Sequence, residues 1–586
     1  MIKKLFAAAA FATAFVLSGS LGASAKEASK QPLSPSTLAE RVQQYRQVLS
    51  VLQNQYVDSL DMETLIKKGL DSMLKSVDPY TEYFSEENLE ELTSVSSGNY
   101  GGVGSLIALR DSVIIFSDPY YGKPARNAGI RHGDIILEID DYVLPKKGLN
   151  TADISNRLKG NPGSHIRVKV RRPWLPAGSD SVLVFNFDRQ KISIDPVPYT
   201  TVFDDGIAYI EVSTFNRNTA EDIRKAFADI KAKHGKNLKG VILDLRNNGG
   251  GIVEGAVNLL SIFLDRGTMV SETRYRDGSV ETYKTRKGPV DTQIPLVVLV
   301  NGSTASASEI VSGAIQDLDR GVVMGRRTYG KGLVQTSAPV GFGSVLKYTV
   351  GKYYLPSGRL IQARDYRDAD GQPTLVPDSL THEFTTAKGR IVRDGRGISP
   401  DVEIQADSTS FLGYQLYTDG WIEDFSNRYR NNHETAPEPG NIVTDEIFEQ
   451  FKAFVDPDKL KFGRASKSGI EYLREAVKAE GLKNDSITAA INVLEVLVKH
   501  DLAQEIDANR KEISELLQTE LASRYFSPEE ISALTIVDDG DVKEARKLLL
   551  DSKLYNSLLQ PGVRIDKPKA PDDKAKADAG LDKQKP

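Results

Sequence analysis

The sequence predicts an α+β fold: an α/β-type core of mixed sheet and helices, with an inserted β-rich module and helical N- and C-terminal regions. Three observations predict it. Two apolar runs of strand length, GVILDL from Gly240 and IPLVVLV from Ile294, are interleaved with helical patterns. Between residues 98 and 190, short alternating apolar runs are punctuated by glycine and proline turns. At both ends of the chain, apolar residues recur every three to four positions.

The elements follow in order. Lys3 and Lys4, the apolar stretch Leu5 to Leu17 and the Ala23-Ser24-Ala25 site predict a signal segment over 1–25, removed on export. The chain has no cysteine, which excludes disulfides, thiol catalysis, cysteine-held metal and a lipidated cysteine at the cleavage site. After a polar linker, residues 37–95 read as a helical region. Leu38, Val42, Tyr45, Val48 and Leu49 form one stripe, and Leu65, Leu70, Met73 and Leu74 a second. This region is expected to pack or dimerise.

In residues 98–190, Gly98 to Leu109 puts glycines ahead of a strand, and further strands are expected at Ser112 to Ser117, Asp134 to Asp140 and from His165. A short helix is expected from Ala152 to Leu158, with Thr151 as its cap. Residues 195–405 form the predicted core, with a strand at Gly206 to Val212 and a helix from Ala220 to His234. A buried strand then enters the glycine turn Gly249-Gly250-Gly251, and another helix runs from Ser306 to Leu318. Residues 410–562 read as helices, with Phe448, Phe451 and Val455 on one face and Ile491, Leu494 and Leu497 on another. The tail, 563–586, is rich in Lys, Asp and Pro and reads as disordered.

The 586 residues suffice for several domains. A net charge of −5, with no basic patch, argues against nucleic acid as a partner. The six histidines are scattered without metal-ligand spacing, so neither a metal nor another cofactor is expected.

One segment carries chemistry. Asn301 to Gln335 places Ser303, Ser306 and Ser308 on a strand-to-helix turn, followed by Lys331 between two glycines. Such a turn lifts an oxygen clear of the sheet and points helix N–H groups at developing negative charge. The serines equally suit the cap of a helix that begins in small residues. A free lysine has a pKa of about 10.4, and lowering it by about three units, worth roughly 4 kcal/mol, would make it a base near neutral pH. With no histidine in the segment, a serine–lysine hydrolase is the first hypothesis.

The matching motifs extend beyond this segment. S-T-A-S-A-S-E, T-Y-G-K-G-L-V-Q, L-D-L-R-N-N-G-G-G, K-Y-Y-L-P-S-G-R-L-I-Q and the early S-V-D-P-Y-T-E-Y-F together resemble the C-terminal processing, or tail-specific, peptidase family. Pro124 to Asp134, P-A-R-N-A-G-I-R-H-G-D, resembles a PDZ domain, with Gly101-Gly102-Val103-Gly104 where its carboxylate-binding loop would lie. The resemblance implies Ser306 as nucleophile, Lys331 as base and Gln335 as the group orienting the lysine. It implies an oxyanion hole from the N–H groups of Gly250, or Gly251, and Ala307. It also implies substrates with apolar C-terminal tails, a periplasmic location, and membrane contact only through an uncleaved signal segment. The helical regions offer surfaces for a homodimer. Two other classes compete: a non-catalytic PDZ scaffold on a protease-like fold, and a hydrolase of another amide or ester. Retention of both Ser306 and Lys331 argues against the scaffold.

Overall fold

The computed structural model describes residues 33–86, 89, 99–176, 181–366, 373–405, 409–457, 459–460, 464–482, 484–498 and 501–565. The expected signal segment, 1–25, and most of the expected disordered tail lie outside the described residues. Two compact units divide at Ser72 and Met73.

In the first unit the helix Pro35–Gln55 begins at Ser34, whose hydroxyl accepts the Thr37 N–H, with proline in the first turn. None of its residues is buried. The stripe predicted to pack, Leu38, Val42, Tyr45 and Val48, is exposed. Periodicity reports an apolar face and not what covers it.

The second unit is built on a six-stranded sheet in the order Thr200–Val202, Ile207–Glu211, Gly240–Asp244, Leu296–Val300, Val322–Gly325, Val402–Glu403. All neighbours after the first pair are parallel. Strands of such a sheet are apolar on both faces because both are covered. Val241, Leu243, Val298 and Val300 face the helices Thr219–His234, Val253–Leu260 and Ala307–Asp317. Ile242, Val297, Leu299 and Met324 face the other way, onto Val542, Ala545, Leu549 and Tyr555. These last belong to the helices Gly540–Leu550 and Ser552–Leu558. The second layer of the core is therefore supplied by the end of the C-terminal helical region. The Tyr555 hydroxyl fastens it, accepting the Leu296 N–H at 3.0 Å and donating to the Leu296 carbonyl at 3.1 Å.

A five-stranded sheet carries the hairpin Leu333–Gly341 and Ser344–Tyr354 with Met269–Tyr275, Val280–Lys284 and Glu82–Phe84. That last strand corrects the helical reading of 37–95. The helix Met62–Lys75 ends ahead of Asp78-Pro79, and Asp78 turns the chain by accepting the N–H groups of Tyr80 and Thr81, each at 2.8 Å. Glu82-Tyr83-Phe84 then pairs antiparallel with Lys347-Leu346-Val345. An aromatic-rich tripeptide follows the sheet edge it meets.

The β-rich module is a sheet in the order Ser105–Arg110, Val113–Pro119, Ile135–Ile139, His165–Arg171, Val182–Asp188, closed by the helix Thr151–Leu158. The cap of this helix is Asn150, whose side chain accepts the Ala152 N–H at 3.0 Å; Thr151 lies inside the helix. Among the C-terminal helices, Phe448, Phe451 and Val455 are core, as is Ile491, but Leu494 and Leu497 are exposed.

Candidate active site

Three segments converge at the carboxyl ends of the parallel strands: the turn after Gly240–Asp244, the turn after Leu296–Val300, and the loop from Thr328 to Gly332. Asn248 joins the first two. Its buried side chain donates to the Val212 carbonyl at 2.8 Å and accepts the Gly250 N–H at 2.9 Å, while its carbonyl accepts from Ala305 N–H and the Ser308 hydroxyl. Asn301 and Asn247 exchange two further hydrogen bonds. The Tyr329 N–H donates to the Thr304 carbonyl, bringing in the third segment.

Ser306 stands at the head of the helix Ala307–Asp317 with φ +56°, ψ −115°, a conformation L-residues rarely adopt. Strain of this kind persists only where surrounding contacts enforce it, and it concentrates at functional sites. The other two serines do not share the position: Ser303 is exposed, and Ser308 is buried with its hydroxyl spent on Asn248.

Glu309 enforces the geometry. Fully buried, its carboxylate accepts the N–H groups of Ser306 at 2.8 Å, Lys331 at 2.9 Å and Gly330 at 2.7 Å, and the Thr328 hydroxyl at 2.6 Å. The Thr328 oxygen itself accepts the Ile398 N–H, so its proton points to Glu309. Burial pushes the Glu309 carboxyl up from its ordinary pKa, and these donors pull it down. Four donors on two oxygens require the ionised form. From the other side, the Tyr353 hydroxyl bridges the carbonyls of Ser306, at 3.1 Å, and Lys331. Burial holds this phenol far above its usual range, so it stays a donor.

The backbones of Ser306 and Lys331 are thus tied to the same two side chains. Among the described residues no hydrogen bond joins the Ser306 hydroxyl to the Lys331 amine. The amine lies 4.2 Å from the centre of the Tyr80 ring. Burial depresses its pKa below the ordinary lysine value, helped by the nearby Lys347 charge and opposed by Glu309, Asp78 and Glu82. Gln335 is not joined to Lys331; its side-chain amide donates to the Thr349 hydroxyl at 3.2 Å.

Of the expected oxyanion donors, Ala307 is the first residue of its helix, where N–H groups have no intrahelical acceptor. Gly250 lies against it but its own N–H is engaged by Asn248, a correction to its expected role as a free donor. Its importance is steric. With φ +103°, an added Cβ would sit 2.7 Å from the Ala305 carbonyl oxygen and 2.9 Å from Ser306 Cβ. Gly250→Ala is expected to lower kcat about 100-fold by displacing Ser306. Steady-state kinetics check this; parental kcat would show that the turn does not set the serine.

The four residues of the expected carboxylate loop divide. Gly101 and Gly102 are paired in strand with Lys191 and Gln190, so their backbones already serve a ladder. Val103 is buried, and Gly104, at φ +73°, makes the bend into the strand Ser105–Arg110. That strand is the edge of its sheet. A groove of about 490 Å³ runs from Val103 and Gly104 along this edge and Leu158 to Ser213, Thr214 and Gly249–Gly251.

Glu309, Tyr353, Asn248 and Tyr80 were not singled out by sequence. Glu309 carried a signal, since an acid three residues after a serine at a helix start is a capping spacing. Tyr353 lies inside the quoted motif K-Y-Y-L-P-S-G-R-L-I-Q, but nothing local showed that it reaches a carbonyl 47 residues away.

Three family models match the chain: peptidase family S41 over residues 206–368, a PDZ domain over 115–172, and the helical domain described as "Probable PDZ-protease, C-terminal helical domain" over 412–549. The Carboxy-terminal processing protease CtpA of Bacillus subtilis is 30% identical over 438 residues, spanning 72% of this chain and 90% of its own length. The Carboxy-terminal-processing protease of Bartonella bacilliformis is 32% identical over 324 residues, 55% of this chain and 73% of its own. A solved structure named as a photosystem II D1 C-terminal processing protease is 27% identical, covering 62% of this chain and 88% of that one with a TM-score of 0.36.

Proposed function

The chain belongs to peptidase family S41, as a serine-type C-terminal processing peptidase with a PDZ domain, and from that premise we propose that it is an exported endopeptidase in which Ser306 and Lys331 act as nucleophile and base. In this reading the neutral Lys331 amine leaves the Tyr80 ring and takes the Ser306 proton as the serine oxygen attacks a peptide carbonyl. The Ala307 N–H, at the start of its helix, donates to the oxyanion, with the Gly251 N–H proposed as the second donor. Lys331 then protonates the leaving amine, and water releases the acyl group from Ser306. Gln335 is proposed to hold the amine once it has moved to Ser306, exchanging its bond to Thr349. Export is inferred from the sequence of residues 1–25, and the periplasm is the proposed location.

The observation that carries the reading is the groove from Gly104 to Gly249–Gly251. An extended peptide added to the strand Ser105–Arg110, with its terminal carboxylate at the Val103–Gly104 bend, would lead back to the turn beside Ser306. Its walls include Leu106, Ile107 and Leu158, which suit apolar tail residues. The test is cleavage of an unfolded protein with an apolar tail, presented with a free or an amidated C-terminus. Amidation is expected to raise KM about tenfold or more, because a charge-assisted contact is worth about 1.5–3 kcal/mol. Equal KM for the two forms would remove the carboxylate-capture part of the proposal.

A further inference from the structure

Away from the peptidase site, the PDZ module meets the C-terminal helices around a cavity of about 130 Å³. Arg126, Arg131 and His132 line it from the module. Asn427 and Arg430, on the helix Trp421–Asn432, and Arg524, on Arg510–Tyr525, line it from the other side. The wall holds four guanidinium groups and no carboxylate. The acids that pair with these arginines do so from outside the cavity: Glu434 takes Arg131 and Arg430, and Glu520 takes Arg524. Arg126 donates to the carbonyls of Ser523 and Arg524, each at 3.1 Å, and lies over the Tyr121 ring, with the Asp118 carboxylate near enough to act on its charge.

Two buried side chains are left incomplete there. Asn427, 2% exposed, has its amide orientation fixed, because its oxygen accepts the Arg524 Nε–H at 2.7 Å. Its Nδ2 donor has no acceptor among the described residues. His132, 7% exposed, directs Nδ1 to the Ser117 carbonyl at 2.9 Å, and its Nε2 has no hydrogen-bond partner, the Asp118 carboxylate being 3.8 Å away. A guanidinium presents five N–H donors, and the bonds of Arg126, Arg131 and Arg524 leave several unspent. The lining therefore carries more N–H donors and guanidinium charge than its acceptors, the Asn431 oxygen and the His132 Nε2 lone pair, can match. Burial holds Arg126 and Arg131 below the usual arginine pKa, and the neighbouring guanidinium groups add to this, against the pull of Asp118 on Arg126 and Glu434 on Arg131.

We propose that this cavity is a binding site for a small oxyanion that fastens the PDZ module to the C-terminal helical domain. The anion accepts from Arg126, Arg131 and the Asn427 amide, touching both sides of the junction at once. Nothing in the peptidase chemistry uses these residues.

The full mature chain is titrated by calorimetry with inorganic phosphate, sulfate and acetate at constant ionic strength, with chloride as reference. Saturable binding of at least one is expected, with a rise in Tm that follows occupancy; the tightest of the three arms tells a tetrahedral anion from a carboxylate. Arg126→Gln and Arg131→Gln are each expected to weaken that binding about tenfold or more. Because either variant can disturb the junction, crystals of the unaltered chain soaked in selenate supply a second measurement, with an anomalous peak expected between Arg126, Arg131 and Asn427. No saturable binding by the unaltered chain, equal binding by both variants, or a cavity holding only water in selenate would each overturn the proposal.

Discussion

Lys331→Ala is expected to lower kcat for peptide cleavage by about 10⁴-fold, and the double variant Ser306→Ala/Lys331→Ala to be no slower than either single one. A general base contributes up to about 10⁴-fold, and residues that act as one unit are far from additive. Rapid-quench or steady-state assay of the parent, both single variants and the double variant measures this. Two independent, multiplying losses would show that the residues do not form a unit. The same experiment has a pH arm. Burial lowers the Lys331 pKa below its ordinary 10.5, and only the neutral amine accepts a proton. The kcat/KM of the parent should rise with pH through a midpoint below 10.5. The sign for stability is the same: between the folded and unfolded pKa values the unfolded chain binds the extra proton, so this group makes folding more favourable as pH rises.

Glu309→Gln is expected to cost about 3 kcal/mol of stability and about 100-fold in kcat, with KM little changed. The carboxylate accepts four hydrogen bonds in a fully buried site. Each carboxylate oxygen serves two donors, so an amide, which turns one oxygen into a donor, leaves two buried donors without their acceptor and facing an N–H group. Charge-assisted bonds are worth about 1.5–3 kcal/mol each, and a buried donor left unmatched costs about 1–3 kcal/mol. Glu309 touches the backbones of Ser306 and Lys331 and not the reacting atoms, so it is a positioning residue. Urea denaturation reads the first effect and single-turnover kinetics the second. Unchanged single-turnover rates in a destabilised variant would reduce Glu309 to a purely structural role.

Much of this was legible in the chain because its signals are local. The run LVVLV needs two apolar neighbours, and a sheet with helices on both faces supplies them. The Ser306 turn and the Lys331 glycines are visible as short motifs, since the backbone they require restricts residue type at neighbouring positions. Other features were misread for a corresponding reason. Glu82–Phe84 became a strand because a distant hairpin offered an edge, and Leu494 and Leu497 are exposed although their spacing matches that of buried residues.

By itself the sequence determined the peptidase class, the serine and lysine that define the proposed chemistry, and the order of the strands and helices around them. The tertiary structure decided what lies next to what. It placed Glu309 and Tyr353 across the Ser306 and Lys331 segments, spent the Gly250 N–H on Asn248, held Gln335 on Thr349, and laid the last helices under the sheet. Local backbone preference is set by neighbouring residues along the chain. Hydrogen bonds between residues tens to hundreds of positions apart, such as Tyr555 to Leu296, are chosen only when the whole core closes and each buried donor must find an acceptor.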